Sequence, residues 1–244
     1  MRFYFFMLKF LLFFGIITNM KYHIDTGLII EKFNEQHECP LCAIEKIVEE
    51  QFLHEFLNDA VMEDSTRAKV NKKGFCDEHF DMLFTRQNKL SVALQISTRV
   101  DSLEKLLQPI KNGKSAKKTA QAIIESLSTC IVCDLTKESM KKYYKTVAQL
   151  FCNEKSFSKT LISSKGFCLR HYAKLLEYSS SAGFLQKQYL EILSGAEQKN
   201  FARLREDLDR FCAKHDYRNA NMPLGSAEKA LPNMRIKLYG EKED

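Results

Sequence analysis

Breakers are scarce in this chain: 244 residues hold nine glycines and four prolines. Long stretches rich in Lys, Glu, Leu and Ala with so little interruption read as helix. No series of short alternating segments bounded by turn residues marks a β-protein. Also missing are a nucleophile elbow, a phosphate loop, a dinucleotide fingerprint and a His-Glu-x-x-His helix, so no enzyme class is indicated by motif. The acidic residues are scattered along helices, where a solvated face explains them. A formal net charge of +6 permits contact with nucleic acid or anionic lipid and demands neither. The length suffices for a real core in one or two domains.

Strong apolarity is confined to residues 1–19, MRFYFFMLKFLLFFGIITN. As a signal peptide this stretch lacks a small-x-small cleavage site near Ile16 to Met20. As a membrane anchor it is interrupted by Lys9, leaving less than the roughly 20 apolar residues a span needs. The reading preferred here is an upstream extension, with translation starting at Met20 and a cytoplasmic protein following. Membrane contact is expected only if residues 1–19 are a real anchor.

Six of the eight cysteines fall into two copies of one pattern. The first copy has Cys39-Pro40-Leu41-Cys42 followed by Lys73-Gly74-Phe75-Cys76-Asp77-Glu78-His79-Phe80. The second has Cys130-Ile131-Val132-Cys133 followed by Lys165-Gly166-Phe167-Cys168-Leu169-Arg170-His171-Tyr172. The first Cys pairs are 91 residues apart and the Cys-x-x-His pairs 92. Such a repeat predicts two related helical modules. Module 1 is expected over 20–112 and module 2 over 119–216, joined by a basic linker at 113–118 and trailed by a tail at 217–244.

The residue types in these copies point to metal. Zinc takes four ligands in a tetrahedron, most often Cys and His. A Cys-x-x-Cys turn brings two sulfurs to one ion. Cys76 and His79, like Cys168 and His171, share a face of a first helical turn. Gly74 and Gly166 allow the sharp backbone entry before that turn. Helix N-termini favour thiolate, and Lys73 and Lys165 can offset the net charge of a three-thiolate site. The expected ligands are Cys39, Cys42, Cys76 and His79 for one zinc, and Cys130, Cys133, Cys168 and His171 for the other. An iron–sulfur cluster and bare thiol redox chemistry are the alternatives.

Cys152 and Cys212 are left over and read as buried free thiols. Cys212-x-x-His215 copies a half-site without a partner pair, and His23, His37 and His54 have no motif around them. Asp64-Ser65-Thr66-Arg67 has no counterpart in the second copy and reads either as a functional loop or, equally well, as a capped short helix. Helical periodicity marks four apolar stripes as core: Ile44, Ile47, Val48, Phe52 and Phe56; Leu135, Met140, Tyr143, Val147 and Leu150; Leu83, Leu90, Leu94, Val100 and Leu107; and Leu175, Leu185, Tyr189, Ile192, Leu204 and Leu208.

The start Met20-Lys-Tyr-His-Ile-Asp-Thr, the Glu38-Cys-Pro-Leu-Cys knuckle, Val61-Met-Glu-Asp, Lys73-Gly-Phe-Cys, and the ending Asp216-Tyr-Arg-Asn with Ala230-Leu-Pro resemble an uncharacterised bacterial protein family. Some of its members carry a label as substrate-binding proteins of ABC transporters. The resemblance covers nearly all of residues 20–244. It implies Met20 as the natural start and supplies no established activity. The sequence therefore predicts an all-α, non-enzymatic, zinc-binding interaction protein, with a thiol-redox, metal-sensing or iron–sulfur protein using the same cysteines as the alternative. Its partner is expected to be a protein, with nucleic acid weakly supported.

Overall fold

The computed structural model describes residues 26–110, 112–219 and 221–241. Residues 1–19, Met20 and His23 lie outside that range. Every regular element among the described residues is helical. Helix α1 covers 26–34. Then come α2 (Pro40–Leu57), α3 (Asp64–Lys73), α4 (Asp77–Phe84), α5 (Lys89–Glu104) and α6 (Gly113–Leu127). After these run α7 (Ile131–Asn153), α8 (Phe157–Ser163), α9 (Leu169–Glu177), α10 (Gln186–Lys214) and α11 (Ala230–Tyr239). No described helix is long and apolar enough to cross a membrane.

The chain divides into two compact units, but not into sequential copies. One unit comprises the chain up to Ile44 together with Lys141 onward, and the other comprises Glu45–Met140. The boundaries fall inside α2 and α7, the helices that begin at the two Cys-x-x-Cys turns. Each copy therefore starts in one unit and continues in the other. The expected split at 112/119 does not describe this packing.

In the discontinuous unit, α10 supplies the main buried stripe: Tyr189, Leu193, Ala196, Glu197, Asn200, Leu204 and Asp207. The spacing is helical, and its character changes along the axis. Tyr189 packs tilted against Phe151 at 5.4 Å between ring centres, whereas Glu197 and Asn200 bond to the segment around Gly166. Phe33 of α1 packs between Phe157 and Phe167, at 5.3 and 5.8 Å. Burying each such ring contributes about 1.5–3 kcal/mol. Of the stripe residues in this unit, Tyr143, Val147, Leu150, Leu175, Tyr189 and Leu204 are buried as expected, as is Met140 just across the boundary in the chain.

The 45–140 unit closes on Leu53, Phe56, Leu57, Val70, Leu83 and Val92, with Cys130, Ile131 and Val132. Here one stripe departs from expectation. Leu83 is buried, but Leu90, Leu94, Val100 and Leu107 are exposed. The chain breaks after Phe84 and restarts with Asn88 as an N-cap accepting from the Ser91 amide, which resets the helical phase. The buried face of α5 is instead Ser91, Val92, Gln95 and Arg99. The polar members go inside because main-chain carbonyls await them. Gln95 donates to Phe56 O, and Arg99 reaches Asn71 O and, at 3.0 Å, Ser126 O.

Two loop expectations also change. Residues 113–118 are the first turns of α6, opened by Asn112 and Ser115 in a reciprocal capping box. Within the expected tail, α11 buries Ala230 and Lys237.

Candidate metal centre

Each Cys-x-x-Cys straddles the start of a long helix: Cys39 and Cys130 immediately precede α2 and α7, and Cys42 and Cys133 lie in their first turns. Each second-half cysteine caps a short one: Cys76 sits at the N-cap of α4 and Cys168 at that of α9. The glycines two residues earlier have φ of 65° (Gly74) and 74° (Gly166), the left-handed region that glycine alone enters cheaply. A Cβ on Gly166 would also stand 2.6 Å from Glu197 Oε2 and 3.0 Å from Lys237 Nζ. The expected helix-start geometry is thus present at all four half-sites.

The eight expected residues gather into two clusters, each able to hold a metal ion, with ligand atoms within 4.8 Å of one another. The pairing is crossed. Cys39 and Cys42 meet Cys168 and His171, while Cys130 and Cys133 meet Cys76 and His79. The expectation that each copy closes its own site is corrected by the path of α2 and α7. Each helix carries the chain away from its own Cys-x-x-Cys into the unit where the other copy's Cys-x-x-Cys lies.

In the discontinuous unit all four residues are buried. His171 Nδ1 stands 3.4 Å from Cys39 Sγ, 3.4 Å from Cys42 Sγ and 3.3 Å from Cys168 Sγ. Cys42 and Cys168 Sγ are 3.7 Å apart. Main-chain amides approach two of the sulfurs: Glu241 N–H donates to Cys42 and His171 N–H to Cys168, both at 3.5 Å. In the 45–140 unit, His79 Nδ1 stands 3.0, 3.4 and 3.3 Å from the sulfurs of Cys76, Cys130 and Cys133. Cys76 and Cys133 Sγ are 3.8 Å apart.

Without metal these clusters cannot ionise together. The hydrogen bond to Cys168 pushes the Cys42 thiol up to about 12. Burial, then its hydrogen bonds to Cys168 and Cys42, raises Cys39 well above the ordinary thiol value. Cys168, accepting from Cys39 and Cys42, is driven far down. The other cluster repeats the pattern, with Cys130 lowered to about 3 by its hydrogen bond from Cys133, and Cys133 raised in turn. In each cluster one thiol is thus lowered and a neighbour raised, and a cation at the centre would favour ionising the raised thiols as well.

The surroundings hold residues that sequence reading did not single out. His79 Nε2 donates to Glu49 Oε1 at 2.7 Å, which orients the ring and leaves Nδ1 facing the sulfurs. Arg203 binds Glu38 at 2.6 Å beside Cys39. Glu197 accepts from the Phe167 amide at 2.8 Å, and Lys237 donates to Lys165 O. Arg99 clamps the corresponding Gly74 turn through Asn71 O. Lys73 and Lys165 do approach the sites, but they pair with carboxylates next to the other copy's Cys-x-x-Cys: Lys73 with Asp134, and Lys165 with Glu38 at 3.5 Å. Thr129 Oγ1 donates to Lys73 O at 2.7 Å and Ile131 N–H to Gly74 O at 3.0 Å, fastening one half-site to the other. The only sequence signal for Glu49 was a helical acid two turns after Cys42, indistinguishable from Glu45 and Glu50 beside it.

The remaining candidates stay apart from the clusters. His37 pairs with Glu35, His54 is exposed, and His215 packs edge-on against Phe211. Cys212 is exposed and Cys152 half-buried, so neither is the buried thiol expected.

Replacing Glu49 by Gln keeps the shape of the His79 contact and removes its charge. Metal affinity of the 45–140 cluster is expected to fall about 10–100-fold, as for other ligand-orienting carboxylates. Competition with a calibrated chelator measures it, and the other cluster serves as the internal control.

Fold and sites together define an all-α protein with two Cys3His clusters able to hold metal ions. The chain belongs to a family of unknown function, DUF6062, whose model matches residues 20–244. It is also 27% identical over 211 residues to an uncharacterised 23.9 kDa protein in the xynA 3′ region of Caldicellulosiruptor sp. (strain Rt8B.4), covering 86% of this chain and 98% of that protein. No solved structure matches.

Proposed function

We propose that this protein is a non-enzymatic, zinc-stapled helical scaffold that presents its surface to a protein partner in a reducing compartment. The observation that carries the metal reading is the ligand geometry. A tetrahedron with Zn–S of about 2.3 Å and Zn–N of about 2.0 Å has S···S edges of about 3.8 Å and S···N edges of about 3.5 Å. The clusters have S···S separations of 3.7 and 3.8 Å and S···N separations mostly of 3.3–3.4 Å. An iron–sulfur cluster spreads its ligands over several irons and their sulfides. Ligand atoms within 4.8 Å suit a single ion.

Three thiolates and an imidazole fill a zinc coordination shell, which is the structural arrangement. Thiolates also donate charge and weaken the ion as a Lewis acid. The interaction role rests on α5, where Leu90 and Leu94 lie exposed on successive turns; apolar surface of that kind is what partner proteins cover. Elemental analysis of protein purified without chelator is expected to give two zinc ions per chain. An iron-rich, coloured preparation would overturn the zinc assignment.

A further inference from the structure

The two clusters share a ligand set and differ in access. In the discontinuous unit Cys39, Cys42, Cys168 and His171 are 1, 3, 0 and 0% exposed. In the 45–140 unit Cys130 and His79 are buried, but Cys76 is half-buried and Cys133 is exposed. Metal-bound thiolate stays deprotonated at neutral pH and keeps its nucleophilicity, so reactivity is set by which sulfur a reagent can reach. Main-chain N–H donors reach sulfurs in both clusters, Cys42 and Cys168 in one and Cys130 in the other, so access rather than charge separates them.

We propose, building on the zinc reading above, that the 45–140 cluster is an oxidation site at which peroxide enters through Cys133 and expels the metal. The Cys133 thiolate attacks one peroxide oxygen. The O–O bond breaks, the leaving hydroxide takes a proton to become water, and Cys133 becomes a sulfenic acid that no longer ligates. A second thiolate of the cluster then attacks the Cys133 sulfur. Cys76 stands 3.8 Å away, and Cys130 is within the same 4.8 Å group. An S–S bond forms, and a second hydroxide leaves and is protonated. In sum, two thiolates lose two electrons, hydrogen peroxide and two protons become two waters, and zinc is left with one sulfur and His79. The geometry needs little movement, since the reacting sulfurs already share one ion. The buried cluster has the same chemistry available and no sulfur at the surface.

The test uses the full chain carrying two zinc ions, treated with hydrogen peroxide in the presence of a chromophoric chelator. Differential alkylation before and after reduction, read by peptide mass spectrometry, maps the oxidised cysteines. One equivalent of zinc is expected to leave at least about tenfold faster than the other, with Cys133 the first residue protected from alkylation, paired to Cys76 or Cys130. Release of both ions at one rate, or first oxidation at Cys39, Cys42 or Cys168, overturns this inference while leaving the structural zinc reading intact. A chain carrying fewer than two zinc ions before peroxide is added overturns both.

Discussion

Stripping the metal at neutral pH is expected to unfold the 45–140 unit and to loosen the other. Ligand deprotonation and folding are coupled in sites of this kind, and apparent binding free energies of about 10–16 kcal/mol in zinc-finger peptides become folding free energy. The 45–140 unit has less to fall back on. Its α6 has no fully buried residue, and Cys130, a ligand, is itself part of its core with Ile131 and Val132. The discontinuous unit keeps the Phe33, Phe157, Phe167 cluster and the Tyr189–Phe151 pair when the metal goes. Helicity followed by circular dichroism during chelation should therefore fall in two steps, with amides of 45–140 exchanging first.

Acid should act as the chelator does. Cys42 stands near 12 without metal, through its hydrogen bond to Cys168, and Cys39 and Cys133 are raised as well, by burial and by hydrogen bonding to Cys130 respectively. Metal must displace those protons, so affinity rises with pH and is lost on acidification. Unfolding that begins on chelation within the residues after Lys141, with 45–140 unaffected, would contradict this account.

Lys237→Met is expected to cost the discontinuous unit about 3–5 kcal/mol, the usual penalty for removing one member of a buried charge pair. Lys237 is fully buried, and Glu197 is 5% exposed. Both crowd the space that a Cβ on Gly166 would fill, one bonding Lys165 O and the other the Phe167 amide. Together they hold the turn that delivers Cys168.

Burial already raises the Glu197 pKa, against the opposing pull of Lys237 and the Phe167 amide. With Lys237 gone it rises further. A raised acid is stabilising while protonated, so the variant's deficit should grow as pH climbs from the ordinary glutamate value through the raised one. Adding Glu197→Gln should recover much of the loss, because no unpaired charge then remains. Denaturant unfolding of the single and double variants measures both effects. A single variant within about 0.5 kcal/mol of the parent, as for an ordinary surface change, would remove the pair from the account.

The eight Cys and His residues of the two clusters were legible because their chemistry is local. A Cys-x-x-Cys turn and a Gly-Phe-Cys-x-x-His helix start are each fixed within a few residues, and Gly74 and Gly166 announce the left-handed turn before the second of these. Which half-sites meet was not legible. Spacing of 33 or 34 residues says nothing about direction, and the outcome depends on where α2 and α7 carry the chain. The α5 stripe failed for a related reason. Its period was right, but Gln95 and Arg99 had carbonyl partners on distant segments and took the inner face. The capping box at Asn112 and Ser115, by contrast, lay in plain view within a stretch whose lysines and glycine suggested a linker. Nothing in the sequence distinguished Lys237 from any other lysine of a C-terminal tail, since its burial depends wholly on Glu197 and the Gly166 turn.

Crossed pairing is the central claim, and the zinc content of two double variants tests it most directly. Cys39→Ser with Cys168→Ser damages one cluster twice and leaves Cys76, His79, Cys130 and Cys133 whole. Cys39→Ser with Cys76→Ser damages both clusters. Elemental analysis is expected to find one zinc ion per chain in the first variant and none tightly held in the second. The reverse result, no zinc in the first and one in the second, would show that each copy closes its own site and would contradict the account.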